Sequence, residues 1–188
     1  IQNELVKIGT TMLVLNSKPI KAFEYLLSKY KIEKVFTNHD YEPYAIQRDE
    51  EISALLKRNG VKLITYKDQV IFEKNEIVKN DGNPYTVFTP YSRKWKAAFN
   101  ETNIQSFKSE KFLEHFLKLD PIPFPTMTEI GFSKTENSFP AKKVEEELIQ
   151  HYGERRNFPA IKGTSKRGVH FRFGTISIRK AAARALQL

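Results

Sequence analysis

Between Tyr152 and Gly174 the chain reads Tyr-Gly-Glu-Arg-Arg-Asn-Phe-Pro-Ala-Ile-Lys-Gly-Thr-Ser-Lys-Arg-Gly-Val-His-Phe-Arg-Phe-Gly. These residue types suit a phosphate group. Gly163 lets backbone approach closely. Thr164 and Ser165 offer hydroxyl and N–H donors, and Lys166, Arg167 and Arg172 supply positive charge. Tyr152 offers an aromatic face against which a cofactor could lie. A basic surface loop without a ligand has the same composition, so these residues alone leave both readings open.

Two further stretches stand out. Asn38-His-Asp-Tyr-Glu-Pro-Tyr-Ala-Ile-Gln-Arg-Asp49 follows a strand-like run and leads into a helical one. In an open α/β sheet that edge is where ligands bind. A capped helix start, with Asp40 or the Tyr41–Glu42 turn satisfying free N–H groups, explains the same residues without a ligand. Pro84-Tyr-Thr-Val-Phe-Thr-Pro-Tyr-Ser-Arg-Lys-Trp95 reads as packing, with Val87, Phe88 and Trp95 burying apolar area.

Most catalytic templates are absent. There is no P-loop, no GxGxxG and no HExxH. His39, His115, His151 and His170 are too scattered for a metal site and read as surface or packing residues. Glu145-Glu-Glu147 complements a helix dipole and needs no catalytic role. The chain has no cysteine, which excludes disulfides and thiolate metal sites and fits a reducing cytoplasm.

The net charge of +9 is unevenly placed. From Pro140 onward eleven Lys and Arg face four Glu. Such a block suits a polyanionic partner, a nucleic acid or a phosphate-bearing cofactor, and equally a solvated face. No apolar run approaches the roughly 20 residues of a membrane span.

The elements that must position these residues follow from periodicity. Residues 1–8 read as the end of a helix stopped by Gly9, without an apolar leader or initiator Met, so a start inside a longer protein is expected. Met12–Leu15, Glu33–Thr37 and Val61–Thr65 read as strands. Helical patterns open at Pro19 and run from Glu42 to Arg58, with Gly60 as a stop. Strand, helix, strand, helix, strand with short connections predicts right-handed βαβ crossovers and a parallel, doubly wound sheet. A helix is expected from Thr89 to Phe99. Residues 100–139, with Pro121, Pro123 and Pro125, read as a linker. Helices are expected over 141–152 and from Ser177 to Leu188. The expected organisation is an α/β domain over 1–99, a linker over 100–139, and the start of a helical domain over 140–188.

In order and spacing, all three stretches resemble the DNA photolyase/cryptochrome family. The first resembles its Asn-x-Asp-Tyr-Glu-Pro-Tyr-Ala-x-x-Arg-Asp segment. The second resembles the Tyr-x-Val-Phe-Thr-Pro-Phe-x-x-x-Trp segment that ends the N-terminal domain. The third resembles the flavin-loop signature, here Tyr152, Arg156-Asn-Phe-Pro-Ala160, Gly163-Thr-Ser165, His170-Phe-Arg-Phe-Gly174 and Ile176-Ser-Ile-Arg179.

The resemblance implies a Rossmann-like α/β domain followed by an all-α FAD-binding domain, and a light-driven carbon–carbon lyase. In such enzymes reduced FAD passes an electron to a cyclobutane pyrimidine dimer in DNA, the dimer splits and the electron returns. The damaged bases are flipped from the stack. It implies FAD contacts at Tyr152, Thr164, Ser165, Lys166, Arg167 and Gly168, and a DNA phosphate contact at Arg156. An antenna chromophore of folate or deazaflavin type, a monomeric state and a cytoplasmic location belong to the same expectation. The family often has Leu-Ser-Pro where Arg167-Gly-Val169 stands, so Gly168 lacks a phosphate-binding hydroxyl. Asn157 replaces the usual Asp. Tyr44-Ala45 stands where folate-type sites carry Asn-Glu. The family's opening strand and most of its flavin domain are not in this chain, so the chain alone is expected neither to hold FAD tightly nor to repair DNA. A cryptochrome photoreceptor, a generic nucleotide-binding α/β domain and a plain basic nucleic-acid-binding module are the rival readings.

Overall fold

The computed structural model describes residues 1–105 and 107–188, apart from the side chain of Glu101. The chain divides into two compact units, each made of two separated segments. The first comprises Ile1–Thr65 with Phe107–Asn137, and the second Tyr66–Ser106 with Ser138–Leu188.

In the first unit, α1 (Gln2–Lys7) precedes α2 (Pro19–Lys29), which Pro19 opens as its fixed φ allows. Strand β1 (Lys34–Asn38), helix α3 (Pro43–Arg58) and strand β2 (Lys62–Tyr66) then form one βαβ crossover, so β1 and β2 pair in parallel. The fold class is α/β, as the alternation of elements predicts. Ala45, Ile52 and Leu56 lie on the buried stripe of α3. Ile52, Leu56 and Val61 form the core, with Phe23 and Leu27 of α2 and Val35 and Leu63 of the strands packed against them. Leu56 is fully buried.

Met12–Leu15 does not form the expected strand, and the sheet has two strands among the described residues. The chain just before it is bonded elsewhere. Gly9 accepts from the Leu119 N–H at 3.1 Å. The buried Thr10 hydroxyl donates to the Leu117 carbonyl at 2.7 Å, and Thr11 Oγ1 accepts from the Ile122 N–H at 3.1 Å. An apolar run becomes a strand only where a neighbour takes its backbone groups.

The regular structure of the second unit is helical, joined by long irregular segments. Its helices are α4 (Phe88–Ala98), α5 (Glu146–Gln150), α6 (Tyr152–Arg155), α7 (Gly168–Arg172) and α8 (Ile178–Leu186). The helix expected over 141–152 is shorter and broken. It starts after Glu145, and His151 separates α5 from α6. Trp95 of α4 stacks on Phe99 at 4.9 Å and meets Phe72 edge-on at 5.3 Å. Arg179, at the start of α8, donates to the Asp68 carbonyl at 2.9 Å and to its carboxylate at 3.2 Å.

Near Trp95, Lys67 Nζ bonds both carboxylate oxygens of Glu76 at 2.8 Å. Burial pushes the Glu76 carboxyl up, but the Lys67 ammonium and the Glu73 N–H outweigh it and hold it below the usual glutamate range. A depressed folded pKa contributes stability that is present above the unfolded pKa and lost as pH falls through the folded one. Glu76→Gln should therefore reduce stability at neutral pH and flatten its loss on acidification below about pH 4.5. Urea unfolding at a series of pH values, followed by circular dichroism, checks this. Parallel curves for the two proteins would show that the pair contributes nothing.

Candidate functional site

The second unit contains a cavity of about 980 Å³. Lys143 and the residues of α5 form one wall. Tyr152, Ser165, Arg167, Phe171 and Arg184 line the rest.

The loop into α7 is shaped by Gly163. A Cβ there would stand 2.7 Å from the carbonyl oxygen of Arg155, so only glycine lets the loop cross the end of α6 at this distance. The close approach expected at Gly163 is thus to the backbone of Arg155. Lys166 then adopts a left-handed φ of 52°, uncommon outside glycine, and turns the chain into α7. Arg167 is the N-terminal cap residue of α7 and Gly168 its first residue.

This turn carries Arg167 into the unit. Its Nε and Nη2 atoms are buried and have no hydrogen-bond partner among the described residues. A buried donor left unpaired costs roughly 1–3 kcal/mol, more when charged. Two other arginines near the cavity are engaged. Arg184 pairs with Glu146 across it, and Arg155 Nη1 bonds Glu147 at 2.9 Å. The arrangement offers charge-assisted donors to an anion.

Of the residues singled out in the sequence, Tyr152, Ser165 and Arg167 line the cavity together. Thr164 and Lys166 are exposed on the same loop and, with Gly168, are not among its lining residues. Arg156 is exposed, with its guanidinium 5.8 Å from the centre of the Tyr152 ring. Phe171, Lys143 and Arg184 were not singled out; their positions on the wall depend on how α5, α7 and α8 come together.

His170, read as a surface or packing residue, is fully buried in α7. Its Nε2 lies 2.8 Å from the Pro140 carbonyl and its Nδ1 2.7 Å from the Thr175 hydroxyl. The edge of one ring meets the face of the other where Phe139 packs against it, at 4.9 Å.

The Asn38–Asp49 stretch is built as a helix start. Asp40 Oδ1 accepts from the Tyr41 N–H at 2.7 Å and from the Glu42 N–H at 3.5 Å. Pro43 opens α3, and Arg48 pairs with Asp49 at 2.8 Å, which holds the Arg48 guanidinium in its charged form. Ala45 faces inward and is buried, so this position presents nothing to an external ligand. Among the described residues no group of three or more His, Cys, Asp or Glu could hold a metal ion, and no helix is long and apolar enough to cross a membrane.

The unpaired guanidinium has a consequence for stability. Arg167→Met keeps the apolar stem and removes the orphaned donors. It should raise the unfolding free energy of the ligand-free chain by about 1 kcal/mol. Urea unfolding measures this, and a loss of stability would mean that the donors are already satisfied.

The DNA photolyase family model matches residues 1–110. The deoxyribodipyrimidine photo-lyase of a Synechococcus strain is 29% identical over 197 residues, covering 96% of this chain and 40% of that protein. The deoxyribodipyrimidine photo-lyase of Halobacterium salinarum is also 29% identical, over 191 residues, with 95% and 40% coverage. Among solved structures, an archaeal photolyase from Sulfolobus tokodaii, crystallised with two FAD molecules, superposes with a TM-score of 0.61 at 20% identity, covering 97% of this chain and 40% of that one. That likeness bears on the fold. The chain spans about 40% of the length of these relatives. Matched by the family model over more than half its residues, the chain belongs to the DNA photolyase family.

Proposed function

We propose that this chain supplies the α/β domain, over 1–99, and the phosphate-binding edge of the flavin domain, over 140–188, of an enzyme that repairs pyrimidine dimers in DNA with light. The observation that carries the reading is Arg167, with buried, unpartnered N–H groups beside Ser165 and Tyr152 in one cavity.

The donor set fits a flavin dinucleotide. Arg167 would hold a phosphoryl oxygen through Nε and Nη2, a charge-assisted pairing stronger than a neutral one. The Ser165 hydroxyl would bond the same group. Thr164, Lys166 and Gly168 would add backbone or side-chain donors from the exposed side of the loop. Tyr152 would lie against the cofactor. Reduced FAD, when bound and excited by light, would supply the electron that splits the dimer. Arg156, exposed at the end of α6, would contact a DNA phosphate and fix register without reading sequence.

Titration with inorganic pyrophosphate tests the site. The chain should bind it weakly, with affinity falling as salt rises, and Arg167→Ala should weaken it about tenfold or more. Equal binding by the two proteins would remove Arg167 from the site. Illuminating dimer-containing DNA with the flavin-loaded whole protein tests the activity. Loss of dimers is expected, and their persistence under light would favour a photoreceptor.

Arg156→Ala should weaken binding of the whole protein to DNA about equally for all sequences and lower the salt slope by about 1. Fluorescence anisotropy at several salt concentrations checks this. An unchanged slope would place Arg156 away from the phosphates.

A further inference from the structure

The mechanism above leaves His170 unused, yet it is the one fully buried titratable side chain among the described residues. Its surroundings select one tautomer of the neutral ring. The Pro140 carbonyl can only accept, so Nε2, 2.8 Å away, must carry a proton. In the neutral ring Nδ1 is then bare and accepts from the Thr175 hydroxyl at 2.7 Å.

The backbone explains why Thr175 is there. Gly174 takes a left-handed φ of 61° just past the end of α7. The Thr175 N–H then bonds the His170 carbonyl at 3.0 Å, and the Gly174 N–H bonds that of Phe171 at 3.4 Å. This is a Schellman closure, and it folds Thr175 back over His170.

One imidazole therefore joins three pieces of chain. Pro140 leads into the Lys143–Ile149 wall of the cavity. His170 lies on α7 between Arg167 and Phe171. Thr175 leads into α8, which contributes Ala181, Arg184 and Ala185 to the lining. We infer that His170 is the positioning residue of this cavity: its Nε2–H bond to Pro140 sets where the α5 wall stands relative to α7 and α8, and thereby the grip on a phosphate-bearing ligand. The last clause rests on the proposed phosphate site, whereas the position of the wall does not.

The chain has no cysteine, so a labelled pair can be introduced cleanly. Gln150→Cys on α5 and Lys180→Cys on α8 are exposed positions for spin labels. The distance distribution between them reports the wall directly, and pyrophosphate titration reports the grip. His170→Gln keeps a donor near the Nε2 position, and His170→Phe keeps the ring shape without a donor. With His170→Phe the distance should shift and broaden, and pyrophosphate affinity should fall about tenfold. His170→Gln should retain the original distance and most of the affinity. Thr175→Val, which removes only the hydroxyl, is the milder variant should His170→Phe not fold, and it should broaden the distance distribution to a lesser degree. An unchanged distance in His170→Phe, or equal effects of Phe and Gln, would overturn the inference. A moved wall in a chain that never binds pyrophosphate would sustain the positioning role and overturn the phosphate reading.

Discussion

A guanidinium withdrawn from water must give its N–H groups to an acceptor or bear the cost of leaving them unpaired. Arg167 bears that cost at Nε and Nη2. Around it, the second unit directs chain toward this point. Gly163 permits the loop to pass against Arg155, Lys166 reverses it, and Arg167 caps α7 from within. Glu146 and Glu147 do not quench the buried charge, because Arg184 and Arg155 hold them. With Glu146 and Glu147 held by other arginines, the buried donors of Arg167 are left for an external acceptor.

The first unit obeys a different constraint. Its order comes from apolar burial, in which α2 and α3 cover the strands through Phe23, Leu27, Ile52 and Leu56. Polar groups there serve the backbone. Asp40 accepts from the N–H groups of Tyr41 and Glu42 just before α3, and Thr10 and Thr11 tie the chain after α1 to residues 117–122. The family's likeness is spread over both units, but the chemistry proposed for this chain is concentrated in one of them.

What could be read from sequence was whatever depends on near neighbours. Pro19 and Pro43 mark helix starts, and β1, α3 and β2 lie within a residue or so of their expected limits. The strand at Met12–Leu15 was misread because strand formation is a property of pairs. The helix expected over 141–152 was misread because Val144, Leu148 and Tyr152 keep a helical period across a break at His151. Ser165 and Arg167 were legible as candidate phosphate donors because their chemistry is local to one loop, and Tyr152 as an aromatic face; the structure brings the three to one cavity. Lys143 and Arg184 were not legible, since nothing in their own neighbourhoods marks them. Gly174 marked a helix end in the sequence, but nothing there showed that the closure would set Thr175 against the His170 ring.

Each unit is assembled from two segments that alternate along the chain, and this governs the order in which it can fold during synthesis. The first unit lacks Phe107–Asn137, and so the acceptor for Thr10, until about a hundred residues after α1 have been made. The second has its Tyr66–Ser106 segment early but must wait for Ser138–Leu188. The Arg179–Asp68 pair joins residues 111 apart and must wait for Arg179 to be made. Trp95 and its aromatic neighbours leave the ribosome long before the helices that complete their unit. During that interval these rings lack the rest of their unit, so a slow or arrested ribosome between the segments would favour aggregation over folding.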